Sequence, residues 1–443
     1  MVSGGLALVY LIVAIALIIF LTARYHMNAF VVLLLVAFLY GLFAGMPLPE
    51  IVKNIRTGFG NTLGYIGIVI VAGTIIGTIL EKTGAALAMT NAILKLVGKE
   101  RSPLAMSIAG YVVSIPVFCD SGYVILTPLN KALAEETGKS MAVMAVALAT
   151  GLYSTHCLVP PTPGPIAAAG ILNADLGRVI ALGLIASIPA MVAGYLWAIF
   201  FAKRYDIEAI LEETYDSLME KYGKLPSTAL SFAPIVVPIL LIFLKSIADY
   251  PTKPFGEGGL AAFFSFIGDP VTALILGVFI ALLLVKEAAR KEAVSSWMDL
   301  GVKHAALILA ITGAGGAFGA ILKASPMGEF LGNTLSTYHL GIFLPFLIAA
   351  ALKTAQGSST VAIITTASIM APLMESLGLV PALTVLAIGA GSMTVSHAND
   401  SYFWVVSQFS DMEVPVAYRA YTTATLVEGV VAFVTVWVIS LFF

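Results

Sequence analysis

Two carboxyl groups, Asp120 and Asp400, stand inside otherwise apolar stretches, each among small polar residues. The run Cys119-Asp120-Ser121-Gly122-Tyr123 places a carboxyl where burial costs several kcal/mol unless the group is paired or protonated. Such a carboxyl can carry a proton through a cycle; it can also cap a helix, which a Ser-Gly neighbourhood suits, and the two roles are compatible. Asp400, within His397-Ala398-Asn399-Asp400-Ser401, is the second candidate of the same kind. Gln356-Gly357-Ser358-Ser359-Thr360 offers an amide, hydroxyls and free backbone N–H groups at a helix start, which favours an anionic or polyhydroxylated ligand; a Ser/Thr-rich helix contact is the alternative. Nearby Lys353 can neutralise a carboxylate or extend its ammonium to the membrane surface. Thr155 and His156 precede Pro160-Pro161-Thr162-Pro163-Gly164-Pro165, and four prolines in six residues cannot continue a helix. The expected substrate-binding set is Ser121, Gly122, Thr155, His156, Thr162, Gln356, Gly357, Ser358, Ser359, Thr360, His397 and Asn399, with Asp120 and Asp400 as proton-coupling groups. No catalytic set is expected, because no nucleophile–base pair stands out. No metal site is expected either: the two histidines lack third and fourth ligands at suitable spacing, and Cys119 and Cys157 form no disulfide framework.

Elements that hold such groups must keep polar backbone inside an apolar chain. Of 443 residues, 59% are apolar or aromatic and only 11% are charged, with a mean hydropathy of +0.99. A soluble domain carries about 25% charged residues. This composition excludes a water-soluble globule, a disordered chain and a nucleic-acid-binding protein. Long apolar runs predict spans near 4–23, 27–45, 63–80, 179–202, 229–248, 270–285, 303–322 and 420–443. The first lacks a basic leader and runs straight into the second, so it reads as a span and not as a cleavable signal. Four further segments, 104–133, 141–172, 340–374 and 382–410, are each interrupted by one of the polar clusters. Backbone freed from helical bonding cannot face lipid, so four such breaks predict an internal site.

The distribution of basic residues indicates which elements cross. With 104–133 and 340–374 as re-entrant hairpins, and 141–172 and 382–410 as broken helices that cross, there are ten crossings and both termini are extracytoplasmic. Sixteen basic residues then fall on the cytoplasmic side and five outside.

Residues 72–80 read AGTIIGTIL and residues 314–322 read AGGAFGAIL. A short amphipathic stretch, an interrupted hairpin and a broken helix with a histidine (His156, His397) follow each in the same order. Five crossings per repeat is an odd number, so the halves must be inverted. The expected fold is an all-α polytopic membrane protein with two inverted-topology repeats, about ten transmembrane helices, two re-entrant hairpins and two broken helices. Residues 1–202 form the first repeat, 203–228 a charged cytoplasmic linker with a surface helix, and 229–443 the second repeat. Inverted repeats with discontinuous helices are the architecture of secondary transporters.

At these breaks the sequence resembles the gluconate permease (GntP-type) family over nearly its whole length. The stretches that carry the resemblance are Asp120 through Leu126 with Pro128-Leu129, His156 through Pro165 with Ala167 through Gly170, and Ser396 through Ser401 with Trp404; Ala355 through Ser358 is a further match. The resemblance implies proton-coupled uptake of gluconate or a related hydroxy acid across a bacterial inner membrane. It also implies membership of the wider ion transporter superfamily, with hairpin-bearing transport domains and dimerising scaffolds, hence a homodimer. The family's proline run often carries a histidine where this chain has Thr162, and its first hairpin is often less polar; D-glycerate and D-serine therefore stay open beside gluconate. The expected partners are a small anionic hydroxy acid and the lipid bilayer, with no nucleic acid. No cofactor is expected: the proton motive force supplies the energy, with sodium coupling as the near rival and a channel or a membrane enzyme as distant ones.

Overall fold

The computed structural model describes residues 4–210, 224–249, 255–325 and 341–443. Among these the regular elements are all helical, because a helix satisfies its own backbone in a bilayer. The chain opens with α1 (Gly4–Tyr25), α2 (Ala29–Phe43), α3 (Leu48–Lys82) and a short α4 (Ala85–Val97). Two interrupted pairs follow, α5 (Ser102–Val113) with α6 (Cys119–Thr137) and α7 (Met141–Leu158) with α8 (Pro163–Ile171), and then α9 (Leu176–Phe200). The second half holds α10 (Thr228–Ala248), α11 (Gly259–Ile267), α12 (Pro270–Leu282) and α13 (Met298–Ala324). Two more interrupted pairs, α14 (Phe343–Gln356) with α15 (Ser359–Met370) and α16 (Pro381–Met393) with α17 (Ser401–Phe409), precede α18 (Thr423–Ser440).

Among the described residues, six helical stretches are long and apolar enough to cross a membrane, and the α11–α12 pair, bent by 62°, makes a seventh. The ten crossings expected from sequence would also require α1, α2 and the α16–α17 pair to cross. Two spans differ in extent from their expected bounds. α3 begins at Leu48, not near 63, because its first turns, with exposed Glu50, Lys53 and Arg56, are helical but carry no apolar run. The span expected at 270–285 is preceded by α11, an apolar helix stopped at Gly268; Asp269 caps α12 by accepting the Val271 N–H at 3.0 Å, and Pro270 occupies its first turn. Outward faces are apolar, with Ile12, Phe266 and Leu283 each more than half exposed, as contact with lipid requires.

Helix contacts come in reciprocal pairs between the halves. α3 packs on α12 as α13 packs on α2; α5 packs on α7 as α14 does on α16; α7 packs on α9 as α16 does on α18; and α1 packs on α2 as α10 does on α12. α3 meets α13, α7 meets α16 and α9 meets α18 directly. The glycines of the repeated motif serve this packing. A Cβ on Gly77 would stand 2.4 Å from the Pro116 carbonyl oxygen in the α5–α6 break, and one on Gly315 would stand 2.7 Å from Ser368 Oγ on α15.

The linker leaves α9 through Ala202–Arg204 and is pinned to the start of α7. Ser140 Oγ donates to the Tyr205 carbonyl at 2.6 Å, and the Met141 N–H donates to the Ile207 carbonyl at 2.8 Å. The surface helix expected in the linker falls largely on residues 211–223, and the second amphipathic stretch on 326–340; both lie outside the described residues.

Candidate functional site

Each polar cluster marked in the sequence lies at an interruption between two helices. In the α5–α6 pair, residues 114–118 leave the helix and Cys119 restarts it, so Asp120 sits in the first turn of α6. A carboxylate is favoured there by the helix dipole. Asp120 is half-buried; its Oδ1 accepts from Ser401 Oγ at 3.4 Å, which ties this tip to the start of α17. Ser121 is half-buried beside it. Gly122 is a packing residue: a Cβ on it would stand 2.7 Å from Leu152 Cδ2.

The α14–α15 break consists of Gly357 and Ser358. Gly357 has φ +91, and a Cβ there would lie 2.0 Å from the Asn399 carbonyl oxygen, so any other residue would be strained and would collide. Gln356 braces the turn through its Nε2 to the Ser358 carbonyl (2.6 Å), while its Oε1 accepts the Ser358 N–H (3.1 Å). Ser358 caps α15 by accepting the Val361 N–H at 3.3 Å. Ser359, buried, and Thr360, half-buried, occupy the first turn of α15.

Residues 394–400 separate α16 from α17, with Val395 at φ 53. Asp400 caps α17 by accepting the Tyr402 N–H at Oδ1 (3.1 Å), and its Oδ2 accepts from Ser396 Oγ at 2.5 Å. The fully buried Lys353 ammonium pairs with the same Oδ2 and also donates to the Gly357 carbonyl. Lys353 therefore neutralises a carboxylate instead of reaching the surface. His397 Nε2 (2.8 Å) and Asn399 Nδ2 (2.9 Å) both lie on the Thr354 carbonyl, binding this break to the end of α14.

Between α7 and α8, the chain turns through residues 159–162 with a cis Pro160–Pro161 bond. Thr155 Oγ1 donates to the Tyr111 carbonyl at 2.8 Å and Thr162 Oγ1 to the Val159 carbonyl at 2.5 Å, so both hydroxyl protons are engaged with backbone. His156 is buried, its ring 6.3 Å from that of Phe118 and 6.4 Å from that of Tyr153. Tyr153 in turn lies 5.7 Å from the Lys353 ammonium, centroid to nitrogen.

The four breaks thus converge on one interior region. Lys353 bonds Asp400 and Gly357 directly, His397 and Asn399 meet the end of α14 at Thr354, Asp120 is tied to this group through Ser401, and His156 is joined to it through Tyr153. Two polar atoms in this region are buried without a partner among the described residues, His156 Nδ1 and Asn399 Oδ1. Buried polar atoms are nearly always bonded, so these are positions a ligand's hydroxyl or carboxyl can complete. Two participants were not among the expected site residues, Ser396 and the Tyr421 hydroxyl bonded to it at 3.1 Å, and Glu428, fully buried in α18 apart from these breaks, was not singled out. Ser396 and Tyr421 carry no separate signal, whereas a lone acid in the last apolar run was a legible one. A hollow of about 220 Å³ lined by Tyr65, Asp175, Lys245, Ser246 and Asp269 lies apart from these breaks and includes none of the expected site residues.

The family model of the GntP family permeases matches residues 6–442. Among curated relatives, a gluconate permease of Pseudomonas aeruginosa is 34% identical over 97% of this chain and 96% of its own. The D-serine transporter DsdX of Escherichia coli is 33% identical over 97% of both chains. An uncharacterized permease of Haemophilus influenzae is 39% identical over 90% of this chain and 84% of its own. Among solved structures, the YdaH transporter of Alcanivorax borkumensis superposes with a TM-score of 0.66, covering 89% of this chain and 90% of its own at 15% identity, a likeness of fold alone.

Proposed function

The chain belongs to the GntP permease family, a family of multi-pass membrane transporters and not of enzymes, and from that premise we propose that it is a proton-coupled symporter. Its substrate is gluconate or a related small hydroxy acid such as D-glycerate, moved by alternating access across the bacterial inner membrane. The observation that carries this reading is two carboxyls of unlike pairing at the breaks: Asp400 is linked through Lys353 to the Gly357 carbonyl ahead of α15, and Asp120 is tied through Ser401 to the start of α17. Asp400 already has Lys353 as its counter-ion, whereas Asp120 makes no ion pair among the described residues. The Ser358 hydroxyl and the N–H groups and hydroxyls of Ser359 and Thr360 are suited to the substrate carboxylate, and His156 and Asn399 to its hydroxyls. An ionised Asp120 beside that carboxylate would repel it, so loading a proton and loading the anion favour each other. That mutual preference is symport chemistry.

The reciprocal helix packing supports two inverted repeats, residues 1–202 and 229–443; ten crossings, both termini extracytoplasmic and a homodimeric assembly are part of the same proposal. A second reading, transport of D-serine, is favoured by the name of one relative and by the same Asp120, which would pair with an α-ammonium. A screen of gluconate, D-glycerate, D-serine and dicarboxylates in proteoliposomes at two pH values separates the two. Asp120→Asn is expected to keep substrate counterflow and to lose most pH-gradient-driven accumulation of a hydroxy acid. Undiminished accumulation by that variant would remove Asp120 from the carrier role. A requirement for sodium in the wild type would replace proton by sodium coupling.

A further inference from the structure

Glu428 in α18 is a buried acid that the substrate site does not use. Its side chain is fully buried, and neither carboxyl oxygen has a hydrogen-bond partner among the described residues. α18 packs closely on α16 at the next residue: a Cβ on Gly429 would stand 2.8 Å from the Ala390 carbonyl oxygen and 2.7 Å from Thr394 Cγ2. The helices packed on α18 bring Tyr153, His156 and Cys157 on α7, Arg178 and Tyr195 on α9, and no titratable group on α16. α14, which meets α18 where Phe343 and Phe346 contact Phe433, brings only Lys353, already paired with Asp400. An unpaired carboxylate in such surroundings loses its hydration with nothing in exchange, whereas the neutral acid avoids most of that penalty.

The same face of α18 is bonded to the substrate site. Just ahead of α18, Tyr421 Oη donates to Ser396 Oγ, which donates to the Asp400 oxygen that binds Lys353. Thr425 Oγ1 accepts the Ser396 N–H at 3.0 Å, and Thr422 Oγ1 donates to the Ser396 carbonyl at 2.6 Å. Thr425 and Glu428, three residues apart, share one helix face. A charge created at Glu428 therefore bears on a contact one helical turn away that holds the α16–α17 break in place.

We propose that Glu428 is a second proton-binding site of the transport cycle, occupied in the conformation described here and emptied when the contact between α18 and the break at Ser396 is remade. The proposal rests on the symport reading, in which Asp120 carries the proton that loads beside the substrate; Glu428 adds one held away from it.

The test uses full-length protein in voltage-clamped liposomes, with labelled gluconate, D-glycerate and D-serine in parallel and the pH gradient as the only driving force. Steady accumulation is read against the gradient for the wild type and Glu428→Gln. Loss of one coupled proton is expected to lower accumulation about tenfold per pH unit, with substrate counterflow retained. Accumulation equal to wild type would overturn the coupling role. If the wild type itself ignores the gradient, the symport reading fails, and the infrared difference spectrum between wild type and Glu428→Gln decides on Glu428 alone. The carbonyl stretch of a protonated acid is expected there, and a carboxylate band would overturn the proposal. Should the Gln variant not reach the membrane, Glu428→Asp replaces it: a displaced carbonyl band supports the proposal, and an unmoved spectrum contradicts it.

Discussion

Lys353 and Asp400 form a buried ion pair in a region where few charges are tolerated, and each holds a different break in shape. Asp400 caps α17 while Lys353 also binds the Gly357 carbonyl, so the pair fastens the α14–α15 tip to the α16–α17 break. Removing one partner from such a pair costs roughly 3–5 kcal/mol, because the other charge stays buried and uncompensated. Asp400→Asn is therefore expected to lower the thermal unfolding midpoint of the detergent-solubilised protein sharply. Replacing both residues with apolar ones, Lys353→Met with Asp400→Leu, should recover much of that stability without restoring transport. An Asp400→Asn protein as stable as wild type would refute the pairing. Asp120, Asp400 and both histidines were legible in the sequence because charge and imidazole are rare in apolar segments. The choice between Lys353 as counter-ion and as surface-seeking cation was not legible, since it depends on a carboxyl 47 residues further along the chain. Glu428 escaped notice because it lies in an unbroken apolar run, whereas attention to breaks favours the ends of helices.

At the scale of elements, the interrupted pairs lie where proline runs and Gly-Ser-Ser clusters indicated, since both deny the backbone its helical bonds. The early start of α3 and the bend between α11 and α12 were not apparent. The first is an amphipathic stretch that packs without an apolar run, and the second depends on a cap and a proline within three residues. The glycines of the repeated motif find their role only in the structure, which identifies the α5–α6 break and α15 as the surfaces that Gly77 and Gly315 admit. Gly77→Leu should push the Pro116 backbone away and abolish transport in protein that still reaches the membrane. Gly64→Leu, on the same helix but with nothing within 4 Å of its Cβ, should transport normally. Equal activity of the two variants would mean that the docking of this break on α3 has no part in transport.

For the whole molecule, the packing of α3 on α13, α7 on α16 and α9 on α18 relates the two halves element by element, with the four breaks between them. With so little sequence identity between the halves, the proposed repeat rests on the order of unusual elements, because apolar residues substitute freely wherever volume is kept. The central claim is that a proton and an organic anion cross together. Addition of gluconate to lightly buffered, sodium-free proteoliposomes tests it most directly, with D-glycerate and D-serine added in turn. The account predicts that at least one of the hydroxy acids alkalinises the external medium at once, and that a protonophore abolishes the signal. Uptake of these acids with no alkalinisation, or only when sodium is supplied, would contradict it.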